Sequence, residues 1–300
     1  MTAGVLLVDK PVGPTSHDVV GVARRALGIR RVGHFGTLDP FASGLLVLGI
    51  GPATRLAPFC TAHPKIYRAT VRLGQRSDTD DSEGALETVL VTAPPDRAAV
   101  ERACAAWVGA VRQVPPSYSA KHVGGRRAYA LARAGETVTL EAAAVRIDSI
   151  RIEHYAWPEL VIVVRCGPGT YLRALARDLG EDLGTGGHCA ALRRLASGPF
   201  RVEDAIAWGE LTGEATARSA MMPSWRAVAD LPATTLDAEG QRAFVQGKEM
   251  PVPPAAAFPG WTRVHGPGGF LGLAEVQAEA GGVLHIRARR VLFPDGEEAA

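Results

Sequence analysis

The stretch RVGHFGTLDPFASGLLVLGIGPATR, from Arg31 to Arg55, decides how this chain is read, because it sets one carboxylate in a glycine-spaced loop beside an apolar run. Three features converge on Asp39. Pro40 biases the residue before it away from the helical region, Gly33 and Gly36 let the backbone bend, and the run Leu45 to Leu48 supplies an apolar floor. An Asp-Pro turn in an ordinary loop has the same local sequence and is the commoner meaning of that dipeptide. The choice between a turn and a site rests on the rest of the chain.

Toward the N-terminus, Val5 to Val8 predicts a short buried strand. Thr15 or Ser16 caps a helix whose apolar face is Val19, Val20, Ala23, Ala26 and Leu27, closed by Gly28. Gly33 to Pro40 is expected as a loop leading into an apolar strand from Leu45 to Ile50. In the next segment Tyr67, Ala69, Val71 and Leu73 alternate with Arg68, Thr70 and Arg72, the pattern of a half-buried strand. Three- and four-residue apolar spacing from Val100 to Val111 predicts a helix over Asp96 to Arg112. Gln113 to Glu141 shows no strong period and is expected as a projecting loop with a short helix. Val161 to Arg165 follows as a strand, Gly167 to Thr170 as a turn, and Tyr171 to Leu179 as a helix that Gly180 ends. Past about residue 230 the texture changes. Pro232 and the cluster Pro251, Pro253 and Pro254 bracket a short helical piece, and Phe270 to Val276 with Val283 to Val291 alternate as strands. The expectation is a catalytic unit over residues 1–229 and a small, mostly β unit over 230–300.

Composition bounds the function. Hydrophobic residues make up 47% and charged residues 21% of 300, an ordinary globular balance. The longest apolar stretch, around Gly44 to Ile50, falls far short of the roughly 20 residues a membrane span needs, and Asp9, Lys10 and Pro11 stand where a signal peptide stays apolar. No membrane association is expected, and the cytoplasm is the default compartment. Cys60, Cys104, Cys166 and Cys189 lie far apart without a C-x-x-C pair, which favours buried thiols over a zinc ribbon or a disulfide framework. A net charge of +2 is too mild to diagnose a nucleic-acid binder. Local charge says more. Between Arg102 and Gly135 there is no acidic residue, while Arg112, Lys121, Arg126, Arg127 and Arg133 accumulate; Arg24, Arg25, Arg30 and Arg31 form a second stripe. Each stripe taken alone suits a solvated face as well as an RNA-binding one.

A second carboxylate clue comes from Arg173. A cation in the first turn of a helix opposes the macrodipole unless it has a partner, and a buried Asp39 would be that partner, held ionised as a nucleophile requires. An exposed arginine in a surface pair reads equally well from these residues alone. Tyr67 can offer a ring face to a base while its hydroxyl stays available for proton transfer, although a core tyrosine is commoner. His34, in the Asp39 loop, can reach a substrate, or simply hydrogen-bond at the surface. Other motifs fail. Asp78, Asp80, Ser82 and Gly84 suggest a calcium loop, but the glycine falls one place late and Val89 stands where a bidentate glutamate belongs. The chain has no phosphate-binding G-x-x-x-x-G-K-[ST], no G-x-G-x-x-G, no G-x-S-x-G and no metal-spaced histidine pair.

Several blocks now stand in order: DKPVGPTSHDVV from Asp9, GHFGTLDPFASGLLVLGIGPATR from Gly33, KIYRATVRLG from Lys65, QVPPSYSAKHVGGRRAYALARAG from Gln113, GTYLRALARDLG from Gly169 and LRRLASGPF from Leu192. With them the chain resembles the TruB family of bacterial tRNA pseudouridine synthases. The resemblance implies an α+β fold, a mixed-sheet pseudouridine synthase core with an inserted thumb over about residues 113–141 and a PUA-like RNA-binding domain at the C-terminus. It implies isomerisation of the uridine at tRNA position 55 in the T loop, without metal or organic cofactor and without an obligate protein partner. By the same resemblance Asp39 is the catalytic aspartate, Tyr67 stacks on the target base and takes its C5 proton, and Arg173 partners Asp39. Tyr171 and Leu192 line or close the pocket, and His34 fills the gap left by the flipped nucleotide. Lys10 and the thumb residues Lys121, Arg126 and Arg127 are the expected further substrate contacts.

The implied reaction detaches uracil from ribose, turns it and rejoins it through carbon 5, so substrate and product have the same atoms and no redox step arises. Two other readings stay open at this stage. A ribonucleoside hydrolase would use the same aspartate with water admitted, and an RNA-binding or RNA-folding protein would need no turnover.

Overall fold

Strand β1 (Gly4–Lys10) pairs antiparallel with β3 (Ala42–Ile50), and both are buried on two faces, which is why each reads as a continuous apolar run. The alternation of a strand divides their side chains. Leu6, Val8, Leu46 and Leu48 enter one core cluster, while Val5, Leu7, Leu45 and Val47 enter the other. The computed structural model describes residues 3–118, 122–123, 126–127, 140–252, 259–278 and 284–292.

Helix α1 (Ser16–Leu27) begins where its sequence signals place it. Thr15 caps it, Asp18 closes the capping box, and Gly28 takes the left-handed conformation at its end. The segment expected as a loop from Gly33 starts instead as a short strand, β2 (Val32–His34), paired with the end of β3. Strand β4 (Lys65–Leu73) matches its alternating pattern.

Helix α2 (Arg97–Ala106), capped by Asp96, is shorter than its apolar spacing predicts. The chain turns at Gly109, with φ of 116°, into strand β5 (Gly109–Gln113), so Val111 is a strand residue. Within the expected thumb, Lys121 lies outside the described residues, as do 128–139. His122–Val123 and Arg126–Arg127 form a two-stranded antiparallel pair.

Strands β6 (Ala143–Ala156) and β7 (Glu159–Cys166) form a long hairpin, followed by helix α3 (Leu172–Asp182) and strand β8 (Gly187–Ser197). Helix α3 does not stop at Gly180. A Cβ there would stand 2.3 Å from the backbone of Gly186 and Gly187, so the glycine serves a close approach between helix and strand inside a continuing helix.

In the large sheet the order is Ile206–Ala207, β1, β3, β8, β4, β7, β6, β5. Strand β8 runs parallel to β3 and antiparallel to β4, which makes the sheet mixed. That pairing sets Gly44, Arg194 and Tyr67 side by side across three strands. Gly44, at φ of 99°, has no room for a side chain, since a Cβ would lie 2.3 Å from the Arg194 carbonyl oxygen. Apolar side chains of α1, α2 and α3 pack into the cluster on one face of the sheet.

A second sheet of five strands carries the C-terminal region, ordered Ala233–Thr235, Gly260–Gly266, Gly269–Ala278, Leu284–Val291, Met250–Val252. Helix α4 (Ala238–Val245) lays Phe244 into its core beside Val264, Val276 and Ile286. Phe270, Leu273 and Leu292 join Val5 and Leu7 in one cluster, so the small sheet is seated on the large one. Phe59 meets Trp261 edge-to-face at 4.8 Å, and the Arg55 guanidinium donates to the Val291 carbonyl. Among the described residues no helix is long and apolar enough to cross a membrane.

Candidate active site

The loop before β3 is held at each carbonyl from Gly36 to Pro40. Arg194 donates to Gly36 O at 3.0 Å and to Thr37 O at 3.4 Å. The Ser16 hydroxyl accepts from Leu38 N and donates to Leu38 O. Ala42 N donates to Asp39 O, and both Gly13 N and Lys10 Nζ donate to Pro40 O. A loop bonded in this way presents Asp39 in one geometry, which is what chemistry at a fixed atom requires.

Asp39 faces a cavity of about 430 Å³ lined also by Tyr67, Tyr171, Arg173, Leu192 and Arg194. Arg173 Nη2 stands 3.0 Å from Asp39 Oδ2. The helix dipole predicts that partner, yet the guanidinium does more. Its Nη1 bonds Asp81 Oδ2 at 3.2 Å and Thr79 O at 3.0 Å, and Nη2 also donates to Tyr118 O at 2.8 Å. Arg173 is thus a buried cation between two carboxylates, one sealed and one open to the cavity, and it makes a charge-assisted contact with each.

Tyr67 is half-buried on β4. Burial pushes its hydroxyl pKa up, and the positive charge of Arg194, whose Cζ lies 6.0 Å from the ring centroid, opposes that shift. Leu192, on β8 opposite Ala42 and Ala69, is buried at the cavity wall. Tyr171 occupies the N-cap position of α3 without a side-chain cap bond. Instead its backbone N–H and C=O are both taken by the amide of buried Gln113, at 2.9 and 3.1 Å.

His34 and Lys10 are not on the cavity wall. His34 packs edge-on against His17 at 5.7 Å. Its buried Nδ1 has no hydrogen-bond partner among the described residues, and burial, with His17 and Arg194 nearby, pushes its pKa down. Lys10 corrects the expectation of a substrate contact. It is fully buried, and its Nζ is spent on Pro11 O, Pro14 O and Pro40 O, so it braces the Asp39 loop from behind. Desolvation pushes its pKa down to about 8, against the attraction of Asp39. Lys121 lies outside the described residues, and only the backbone pairing of Arg126 and Arg127 is described.

Sequence reasoning missed Arg194, Ser16, Asp81 and Gln113 as parts of the site. Period-two alternation puts Arg194 on the same face as buried Leu192, their partners being Tyr67 and Ala69, a signal that an arginine stands on an apolar strand face. The four cysteines are buried free thiols, as expected, with burial pushing each pKa up, Cys189 and Cys60 to about 12. Among the described residues no group of three or more His, Cys, Asp or Glu side chains could hold a metal ion.

Residues 24–172 match the family model described as TruB family pseudouridylate synthase (N terminal domain). Residues 173–224 match the tRNA pseudouridylate synthase B C-terminal domain, and 232–292 match Pseudouridine synthase II TruB, C-terminal. The tRNA pseudouridine synthase B of Thermobifida fusca is 47% identical, over 83% of this chain and 87% of that protein. The protein of the same name from an Arthrobacter species is 43% identical over 99% of both chains. Two solved structures share the fold at low sequence identity. A chain of the archaeal box H/ACA sRNP Nop10-Cbf5 complex superposes with a TM-score of 0.74 at 23% identity, covering 98% of this chain and 87% of that one. A chain of an H/ACA RNP bound to a substrate RNA containing 2'-deoxyuridine gives 0.75 at 23%, covering 99% and 88%.

Proposed function

The chain belongs to the TruB family of pseudouridine synthases, which makes it a tRNA uridine-to-pseudouridine isomerase, and we propose that its target is the uridine at position 55 in the T loop. The observation that carries this reading is the Asp39–Arg173 pair at 3.0 Å, opening on a cavity that also holds Tyr67. The cavity volume suits a single base with part of its ribose. The target nucleotide leaves the stack at a cost of a few kcal/mol, offset by stacking on Tyr67 and by phosphate contacts from the basic segments.

Within the cavity Asp39 is the nucleophile. The bond between N1 of uracil and C1′ of ribose breaks, the base turns, and a bond forms between C5 and C1′. The Asp39 carboxylate is released when the C5–C1′ bond forms, and the C5 proton passes to the Tyr67 oxygen as the phenol proton is given up toward N1, so atoms and charge balance without an external reductant or energy source. Arg173 fixes the orientation of the Asp39 carboxylate and sets a positive charge beside it. Leu192 and Tyr171 bound the space in which the base turns, and His34 occupies the gap the nucleotide leaves.

In this reading residues 1–229 form the catalytic unit, with a thumb at about 113–141 that grips RNA through Lys121, Arg126 and Arg127. Residues 230–300 form a PUA-like RNA-binding unit, supported by their separate sheet and separate core. The partner is the T stem-loop of tRNA in the cytoplasm, with no obligate protein partner. The test is to incubate the purified protein with unmodified tRNA transcript, without added metal or nucleotide, and to map pseudouridine by base-specific chemical labelling. One labelled uridine in the T loop is expected. Free uracil would establish a hydrolase instead, and bound but unchanged RNA a binding protein.

A further inference from the structure

Helix α3 presents two arginines one turn apart, and both reach the same two segments. Arg173 takes Thr79 O and Asp81 on one side and Tyr118 O on the other. Arg177 takes Asp80 Oδ2 through Nη1 at 2.8 Å and Val114 O through Nη2 at 2.8 Å, while its Nε bonds Asp178 on its own helix at 2.8 Å. Each guanidinium therefore ties the loop at 79–81 to the segment at 114–118, and only the inner one touches Asp39.

The loop is shaped for this double grip. Successive side chains of an extended strand point to opposite sides, but Asp80 has φ of 61°, unusual for a residue with a side chain, and Asp80 and Asp81 both face α3. The loop is also pinned from behind, where Cys189 N donates to Asp80 O at 2.9 Å. Asp80 is buried, and its desolvation is opposed first by Arg177 and then by Arg173. Arg177 does not line the cavity.

We propose that the Arg177–Asp80 ion pair is a positioning element for the isomerisation, holding the 79–81 loop and the 114–118 segment where Arg173 can span Asp81, Tyr118 O and Asp39 together. This rests on the functional reading given above. Because Val114 and Tyr118 lead into the segment expected to grip RNA, the same pair ties the root of that segment to the reacting carboxylate. Neither residue meets substrate. Loss of the pair therefore slows the chemical step and leaves RNA affinity alone.

The experiment uses the full chain carrying Arg177→Met, Arg177→Lys, Asp80→Asn and the Arg177→Met/Asp80→Asn double substitution. Single-turnover conversion of uridine in unmodified tRNA transcript is measured beside tRNA affinity by filter binding and thermal midpoint. Both single neutralising variants are expected to lose about tenfold or more in single-turnover rate with affinity within about twofold, the signature of displaced catalytic groups. Arg177→Lys recovers part of the rate, since it keeps the charge at Asp80 but not the three-way span. The double variant is no slower than the slower single one, because the two residues act through one contact. Unchanged rates, or rate losses matched by weaker tRNA binding, overturn the proposal. Should Arg177→Met fail to fold, the near-isosteric Asp80→Asn decides it by the same measures. If the unsubstituted protein forms no pseudouridine, the functional reading fails on its own. The crystal structure of Arg177→Met then decides the positioning claim: Arg173 displaced from Asp39 supports it, and an unchanged 3.0 Å contact overturns it.

Discussion

Arg173 and Asp39 form an ion pair that is closed at one end and open at the other: the arginine side chain is 7% exposed, the carboxylate 3.0 Å away is 41% exposed. The buried cation cannot be replaced by solvent, while the anion remains free to meet a substrate. Asp39→Asn keeps the shape and removes the charge. The variant is expected to bind tRNA with nearly unchanged affinity and to form no pseudouridine, assayed by filter binding and chemical labelling. Turnover retained in that variant would remove Asp39 from the mechanism.

Tyr67 combines a stacking surface with a hydroxyl, and Tyr67→Phe separates them. Stacking survives, so tRNA affinity is expected to stay close to that of the parent, while single-turnover rate falls by about 100-fold or more through loss of the proposed proton acceptor. A parallel loss of affinity would instead assign the hydroxyl to binding.

Asp80 gives a pH signature. Burial pushes its carboxyl up to about 6, above the unfolded value near 3.9. The folded state therefore holds a proton that the unfolded chain releases. The stability this contributes is fully present below about pH 4 and is lost as pH rises through about 6. Thermal midpoints of Asp80→Asn are expected to fall less steeply across that window than those of the parent. Identical slopes would show that Asp80 titrates as an exposed aspartate does.

Lys10 braces Pro40, the residue after Asp39. Lys10→Met leaves buried carbonyls without their donor and is expected to destabilise the protein by about 2–3 kcal/mol in urea unfolding. The salt dependence of tRNA binding should not change, because the ammonium is too deep to meet a phosphate. A shallower salt slope would restore Lys10 as an RNA contact.

Opposite behaviour is expected from Lys121, Arg126 and Arg127. Replacing each by alanine should weaken tRNA binding and lower the slope of log affinity against log salt by about 0.7–0.9 for each phosphate that is no longer neutralised. Binding that is unchanged across salt would remove the thumb assignment.

Local signals in the sequence are legible where one segment decides the outcome. Thr15 and Gly28 mark the two ends of α1, and alternation from Tyr67 to Leu73 marks β4. Apolar spacing overruns α2 because residues 107–111 continue a helical period while Gly109 turns the backbone into a strand. Asp39, Tyr67, Arg173, Tyr171 and Leu192 are legible as a set only through the resemblance, and the cavity brings those five together. What the sequence conceals depends on distant pairing. Asp81 lies inside the failed calcium loop at a position that is no ligand there, and Gln113 reads only as the start of a basic segment, because the partners of both lie at α3. Lys10 looks available for phosphate because nothing in its neighbourhood says that Pro14 and Pro40 fold around it.

The contact between Gly180 and the start of β8 gives the helix a height above the sheet as well as a position along it. Any side chain at 180 must lift α3 away from the strand, and Arg173 and Arg177 ride on the same rigid rod. A methyl group placed far from the cavity would thus lengthen the reach to Asp39, making the thickness of one backbone contact a dimension of the candidate site.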